Sequence, residues 1–252
     1  MRKKLVLWIA LVVFAVIAIF SAYKLITILG EYREGEEVYA GLNQYARIEP
    51  TVSQSGEKQP EEEDGYYIDH AGLLEINGDY IGWIHIEGTR ISYPITRTNN
   101  NEYYLYRMFD GTYNGAGCVY MDCRNSPTWT DTHTVVYGHN MRTGTMFADA
   151  VNYTSQEFYD AHPTGILMTP GGNYELQFFS AYQAGVEEDA WNTDFSTQSE
   201  YASWLENAVE RSAIESRFVP TPQDRVVTLS TCTFDHRTGA RLVILAILKP
   251  ME

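Results

Sequence analysis

The chain has 252 residues, 44% hydrophobic and 13% aromatic, which suits one folded body with appendages and excludes a wholly disordered protein. Its 33 acidic side chains outnumber 18 basic ones, giving a net charge of −15. Four of the basic residues and none of the acidic ones lie in residues 1–24, so the remainder stands at −19; a body this acidic repels phosphate, which excludes nucleic acid as a partner.

The first predicted element is a membrane span. "MRKK" is followed by nineteen uncharged residues, Leu5 to Tyr23, which as a helix cover about 28 Å, close to a bilayer core. Basic residues stay on the cytoplasmic side, so the remainder is expected outside the cell. The run is longer than the apolar part of a signal peptide and has no clear small-residue cleavage site, so it reads as an uncleaved anchor. "ITILGEYREGEEVYAGLNQYARIE" continues as charged, loosely amphipathic helix. Pro50 to Gly65 is polar, acidic and nearly free of apolar side chains, the composition of a flexible spacer. The expected organisation is therefore 1–29 as cytoplasmic tip and anchor, 30–65 as juxtamembrane helix and spacer, and 66–252 as the globular body.

That body reads mostly as strands. "YIGWIHIEG" alternates and stops at Gly88; "TRISYPIT" follows, demoted to an edge by Pro94. "NNNEYYLYRM" predicts a turn and a short helix, and "GAGCVYMDC", "HTVVYGH", "GILMTP" and "YELQFFSAYQAG" predict further strands. One helix stands out in "STQSEYASWLENAVERSAI". It places Tyr201, Trp204, Leu205, Ala208 and Val209 on one face, with Ser212 and Ala213 one turn further, and Thr197 with Glu200 forms a capping box. "VVTLSTC" and "RLVILAILK" are the last strands, the second apolar on both faces and hence covered on both. Many short strands and few helices predict a mainly β fold with flanking helices, closed or nearly closed into a barrel.

The three cysteines, Cys118, Cys123 and Cys232, leave at least one free thiol. Cys232 is open to reading as buried filler, half a disulfide, a metal ligand or a nucleophile. Along its strand it falls with Thr228 and Ser230 on a small polar stripe, not with Val227 and Leu229, which counts against apolar filler without selecting a nucleophile, since buried cysteine is common. Among six histidines, His139 ends "TVVYGHN" at a strand terminus, where carbonyl-bonded histidines are ordinary; His236 is nearer in sequence and would need a tight turn to reach back. Arg241 opens the final apolar strand, placed either to hold an oxyanion or to make a rim ion pair, and Arg237 is its local rival. Cys118, Cys123 and His133 are too few and too oddly spaced for zinc, and neither a phosphate loop nor a paired-histidine metal motif occurs, so no metal and no cofactor is expected.

"TLSTC" at a strand end, an arginine opening the next strand, and "VVYGHNMRTGTMFADA" upstream together resemble the sortases, membrane-anchored cysteine transpeptidases of Gram-positive bacteria. "DYIGWIHIEGTRISYPI", "NNNEYYLYRMFDGTYNGAGCVYMD" and the long helix before the cysteine strand are similar to class B, over about Tyr66 to Lys249. The resemblance implies a closed barrel of about eight strands. It implies Cys232 as nucleophile, His139 as general acid/base and Arg241, preferred to Arg237, as oxyanion and substrate clamp. Thr231, Ser230 and Asn140 are expected to line the substrate site, and Cys118 and Cys123 are given no role. The implied reaction cleaves a C-terminal sorting signal of secreted proteins, of the Asn-Pro-x-Thr-Asn kind, and passes the acyl group to a peptidoglycan amine. The implied location is a single-pass membrane protein with its catalytic domain extracellular. An anchored cysteine protease using water as acceptor, and a non-enzymatic anchored β-barrel binding module, stand as alternatives.

Overall fold

A computed structural model describes residues 2–48, 65–233 and 239–251. The helix α1 (Arg2–Leu42) is continuous for 41 residues, about 62 Å at 1.5 Å per residue. Within it lies a helical segment long and apolar enough to cross a membrane, of mean hydropathy 2.7, with its most apolar window wholly unburied. The last three turns do something else: Tyr39 and Leu42 are buried against the body, and Asn114 Nδ2 donates to the Glu31 carbonyl at 2.9 Å. A short strand β1 (Ala46–Ile48) then pairs with β2 (Tyr66–Ile68), Ile48 opposite Tyr66. The structure thus joins residues 31–48 to the folded body upstream of Tyr66. The spacer expected over Pro50–Gly65 lies outside the described residues apart from Gly65, but its two flanks meet as neighbouring strands.

After helix α2 (His70–Ile76) come the barrel strands β3 (Tyr80–His85), β4 (Ser92–Thr96), β5 (Val119–Met121), β6 (His133–Tyr137), β7 (Thr164–Thr169), β8 (Gly172–Ala184), β9 (Val226–Cys232) and β10 (Arg241–Pro250). Helices α3 (Gln156–Ala161) and α4 (Gln198–Glu210) fall before β7 and β9. The eight strands close in the order β10-β8-β7-β3-β4-β5-β6-β9, as expected. Only β4–β5 and β6–β9 are parallel. Closure corrects the edge assignment of β4. Pro94 sits inside the ring opposite Trp83, and its missing N–H costs nothing because the ladder to β5 begins one residue later, at Ile95–Val119.

The strand β10 is apolar on both faces because it serves two cores. Leu242, Ile244 and Ala246 join Val227, Leu229 and Trp83 in the larger one. Val243, Leu245 and Ile247 join Val226 beneath α4. Helix α4 buries Tyr201, Trp204, Leu205 and Ala208 on that second core. Its capping box forms, with Glu200 N donating to Thr197 Oγ1 at 3.1 Å, and Glu200 Oε2 accepts from Ser196 N, one residue earlier than the usual reciprocal bond. Two expectations fail here. Val209 is 46% exposed, and the helix stops at Glu210 rather than running through Ser212 and Ala213. Arg211 ends it by bonding Glu188 and Asp189 and stacking on Tyr182, and Ala213 N turns away to the Ala181 carbonyl.

Trp204 packs against His133 and Phe195 and donates Nε1 to the Asp189 carbonyl at 3.0 Å. Trp204→Ala is expected to cost about 3–5 kcal/mol by urea denaturation, while Val209→Ala, on the exposed edge of the same helix, stays within about 0.5 kcal/mol.

Candidate active site

The site follows from strand register. Parallel pairing of β6 with β9 sets Tyr137 beside Ser230, and Gly138 N continues the ladder to the Ser230 carbonyl at 3.1 Å. Two residues beyond that pair, the strands deliver His139 and Cys232 to the same end of the barrel. Antiparallel pairing of β10 sets Arg241 directly opposite Cys232. The three groups, about 90 residues apart or close in sequence, line one cavity of about 290 Å³ together with Thr231, Ser230 and Tyr120.

Each side chain is held by its neighbours. His139 Nε2 lies 2.7 Å from the Leu105 carbonyl. A carbonyl only accepts, so Nε2 carries a hydrogen and Nδ1 is the nitrogen that gains or loses a proton. The backbone of His139 is fixed as well, its carbonyl accepting from Phe147 N at 2.8 Å. Gly138 is needed because a β-carbon there would fall 2.5 Å from the Phe147 ring. Asn140 Nδ2 donates to the Cys232 carbonyl at 3.0 Å, tying the histidine segment to the cysteine backbone. Asn140 itself, expected at the substrate site, is not among the residues that line the cavity. Thr231 Oγ1 and Asn140 Oδ1 are buried without a partner among the described residues, whereas Ser230 Oγ accepts from Trp191 Nε1 at 3.2 Å. Arg241, half-buried, leans Nη1 toward the Gly239 carbonyl at 3.4 Å. Arg237 and His236 lie outside the described residues.

Three further histidines are occupied elsewhere, while His85 Nδ1 is buried without a partner among the described residues. His70 meets the Tyr80 hydroxyl, His162 the Glu87 carbonyl, and His133 is buried between the Asn192 carbonyl and Thr228 Oγ1, where burial pushes its pKa down to about 4. Cys118 is fully buried, and burial pushes its thiol up to about 12; Cys123 is half-buried, and all three thiols are free. Among the described residues no group of three or more His, Cys, Asp or Glu is disposed to hold a metal ion.

A polar wall beside the cavity was not anticipated from sequence. The buried Asp122 carboxylate accepts from Arg124 Nε and Nη2 at 2.9 and 2.8 Å and from the Tyr137 hydroxyl at 2.8 Å. Arg124 Nη2 reaches on to the Trp191 carbonyl at 2.9 Å. Tyr137, Arg124, Trp191 and Arg241 share a second cavity of about 530 Å³, so Tyr137 and Arg241 stand between two hollows. Asp122 and Arg124 meet because the chain turns after β5, Arg124 N also donating to Asp122 Oδ1 at 2.9 Å, and strand alternation does not record that turn; the Leu105 carbonyl, a backbone atom ending a short 3-10 helix at Tyr103–Leu105, left no signal in the sequence.

A closed mixed barrel with a thiol, an imidazole and a guanidinium at one rim fits the sortase class of proteins. The sortase-domain family model matches residues 84–249, and the chain belongs to the sortase family. Its relatives place it with class B. Sortase B of Listeria monocytogenes is 31% identical over 229 residues, 90% of this chain and 89% of its own length. Sortase B of Staphylococcus aureus is 32% identical over 248 residues, 98% of each. The crystal structure of sortase B from Bacillus anthracis, in complex with AAEK1, superposes with a TM-score of 0.75 at 31% identity, covering 89% of this chain and all of that one.

Burial alone would raise the pKa of Asp122, but the hydrogen bonds from Arg124 and Tyr137 outweigh it and hold the carboxyl below the usual carboxylate range. Its contribution to stability is therefore complete above the unfolded value and lost as pH falls through the lowered folded one. Urea denaturation from about pH 5 to about pH 2 is expected to show a steeper loss for the parent than for Asp122→Asn, which starts less stable at neutral pH. Thiol titration with an aromatic disulfide is expected to leave Cys118 unmodified in the folded chain and to release it only on denaturation.

Proposed function

We propose that this sortase is a class B transpeptidase working through Cys232, His139 and Arg241. The observation that carries the reading is the register that brings Cys232, two residues beyond Tyr137–Ser230, level with His139 and opposite Arg241. In the first step the Cys232 thiolate adds to a backbone carbonyl of a sorting signal. Arg241 donates hydrogen bonds to the oxygen that becomes negative. His139 gives its Nδ1 proton to the departing amine as the carbon–nitrogen bond breaks, leaving a thioester. In the second step an amine of the cell wall attacks the thioester carbonyl, His139 takes its proton, and the carbon–sulfur bond breaks to restore the thiolate. One amide exchange becomes two easier steps.

Ser230 and Thr231 both contribute to the wall of the cavity, the Thr231 hydroxyl itself being buried, so the substrate would meet them mainly through that wall's shape. Residues 1–29 form the cytoplasmic tip and anchor, and the body stands on the outer side, where secreted substrates and the growing peptidoglycan both are. Basic residues before an apolar helix support that orientation.

The test offers an Asn-Pro-Gln-Thr-Asn peptide with triglycine or a diaminopimelate-containing peptide as acceptor, products being identified by mass. Cys232→Ala is expected to fall to background and His139→Ala to lose at least about a hundredfold. Arg241→Ala is expected to lose about 10²–10³-fold in kcat, with partial recovery in Arg241→Lys and little change in Arg237→Ala. Hydrolysed peptide as the sole product at saturating amine would instead favour the protease reading.

A further inference from the structure

The helix that leaves the apolar span does more than tether. Tyr39, in its last turn, is 9% exposed, stands edge-on to Tyr93 at 5.4 Å, and donates its hydroxyl to the Gly117 carbonyl at 2.5 Å. Asn114, 2% exposed, bridges the same surfaces, giving Nδ2 to the Glu31 carbonyl and accepting Ala116 N at Oδ1. The segment 114–118 is thus gripped by the helix from one side. Its other side faces the catalytic histidine. Gly117 adopts φ +59°, and a β-carbon there would lie 2.8 Å from the carbonyl oxygens of Tyr104 and Leu105 and 3.0 Å from His139 Cδ2. Cys118 N holds the Tyr104 carbonyl at 3.0 Å, and the Leu105 carbonyl is the acceptor for His139 Nε2.

These contacts form one uninterrupted path from anchor helix to imidazole. We propose that Tyr39 is a positioning residue for His139: its hydroxyl fixes Gly117, Gly117 holds the 104–105 backbone against it, and the Leu105 carbonyl keeps the imidazole proton on Nε2. Proton transfer then falls to Nδ1 in every turnover. The inference rests on the reading of His139 as the general acid/base. It gives the juxtamembrane helix a part in catalysis although none of its residues lines the cavity of Cys232 and His139.

The experiment uses the full chain in detergent micelles, with Tyr39→Phe, which keeps the ring and removes only the hydroxyl. Transfer from the Asn-Pro-Gln-Thr-Asn peptide to triglycine is followed against pH, and the His139 tautomer is read from ring ¹⁵N shifts in histidine-labelled protein. Tyr39→Phe is expected to lower kcat about threefold to tenfold with KM within about twofold, as loss of one aligning bond implies. A larger Nδ1–H fraction and a displaced pH–rate limb are expected alongside. A purely structural role would lower the melting temperature and leave the ¹⁵N shifts and the pH profile of the folded fraction as in the parent; that result overturns the proposal. If His139→Ala retains transfer, the reading of the histidine fails. If His139→Ala is inactive while Tyr39→Phe matches the parent in rate, pH profile and ¹⁵N shifts, only the positioning role does.

Discussion

Parallel pairing of β6 and β9 is the constraint on which the remaining architecture turns. Parallel neighbours end at the same side of a sheet, so residues that follow them are brought together without any turn between them. Tyr137 beside Ser230 is enough to put an imidazole and a thiol at one rim from positions about 90 residues apart. The antiparallel return of β10 adds Arg241 at no further topological cost. A slip of one residue in that pairing would turn Cys232 toward the barrel's larger core and Thr231 toward the arginine. Leu229 and Val227 in the core, against Thr228 and Ser230 bonded to His133 and Trp191, make such a slip expensive.

The polar groups around the rim are arranged to stay put. Asp122, Arg124 and Tyr137 satisfy one another and link the end of β5, β6 and the loop after β8. His133, kept neutral by burial, joins β6 to β9 through Thr228 and to the same loop through Asn192. Fully partnered networks of this kind rigidify a surface, whereas single unpaired groups destabilise it. The Thr231 hydroxyl and Asn140 Oδ1, both buried without a partner among the described residues, are the exceptions beside the thiol.

Much of this was legible in the sequence because period-two alternation and an apolar run are strong signals. β3, β6, β9 and the doubly covered β10 follow from them, as does the buried face of α4 with its Thr197 cap. The placement of Cys232 on the polar parity of β9 was readable too; His139 as its partner came from the resemblance to the sortases and not from alternation, which says nothing about which strands pair. The misreadings have local causes. Val209 stays exposed because the second core ends short of it, and α4 stops early because Arg211 finds Glu188, Asp189 and Tyr182 instead of another turn. Pro94 looked like an edge because the ladder to β5 starts beyond it. The barrel contacts of Tyr39 and Asn114 join elements dozens of residues apart, which no local pattern records.

The unbroken course of α1 bears on how such an enzyme finds its substrates. A helix running from the apolar span into buried contacts with the barrel is a stiff rod, and only a short stretch, Gly30 at its centre, separates the last apolar turn from the first contact at Glu31. With the apolar span seated in a membrane, as proposed, the rod would keep the rim at a constant altitude and tilt over the bilayer instead of letting it sweep a hemisphere. On the proposed reading, encounter would become a planar search by lateral drift, and a sorting signal held too near or too far from the lipid surface would pass unread however well its sequence fitted the cavity.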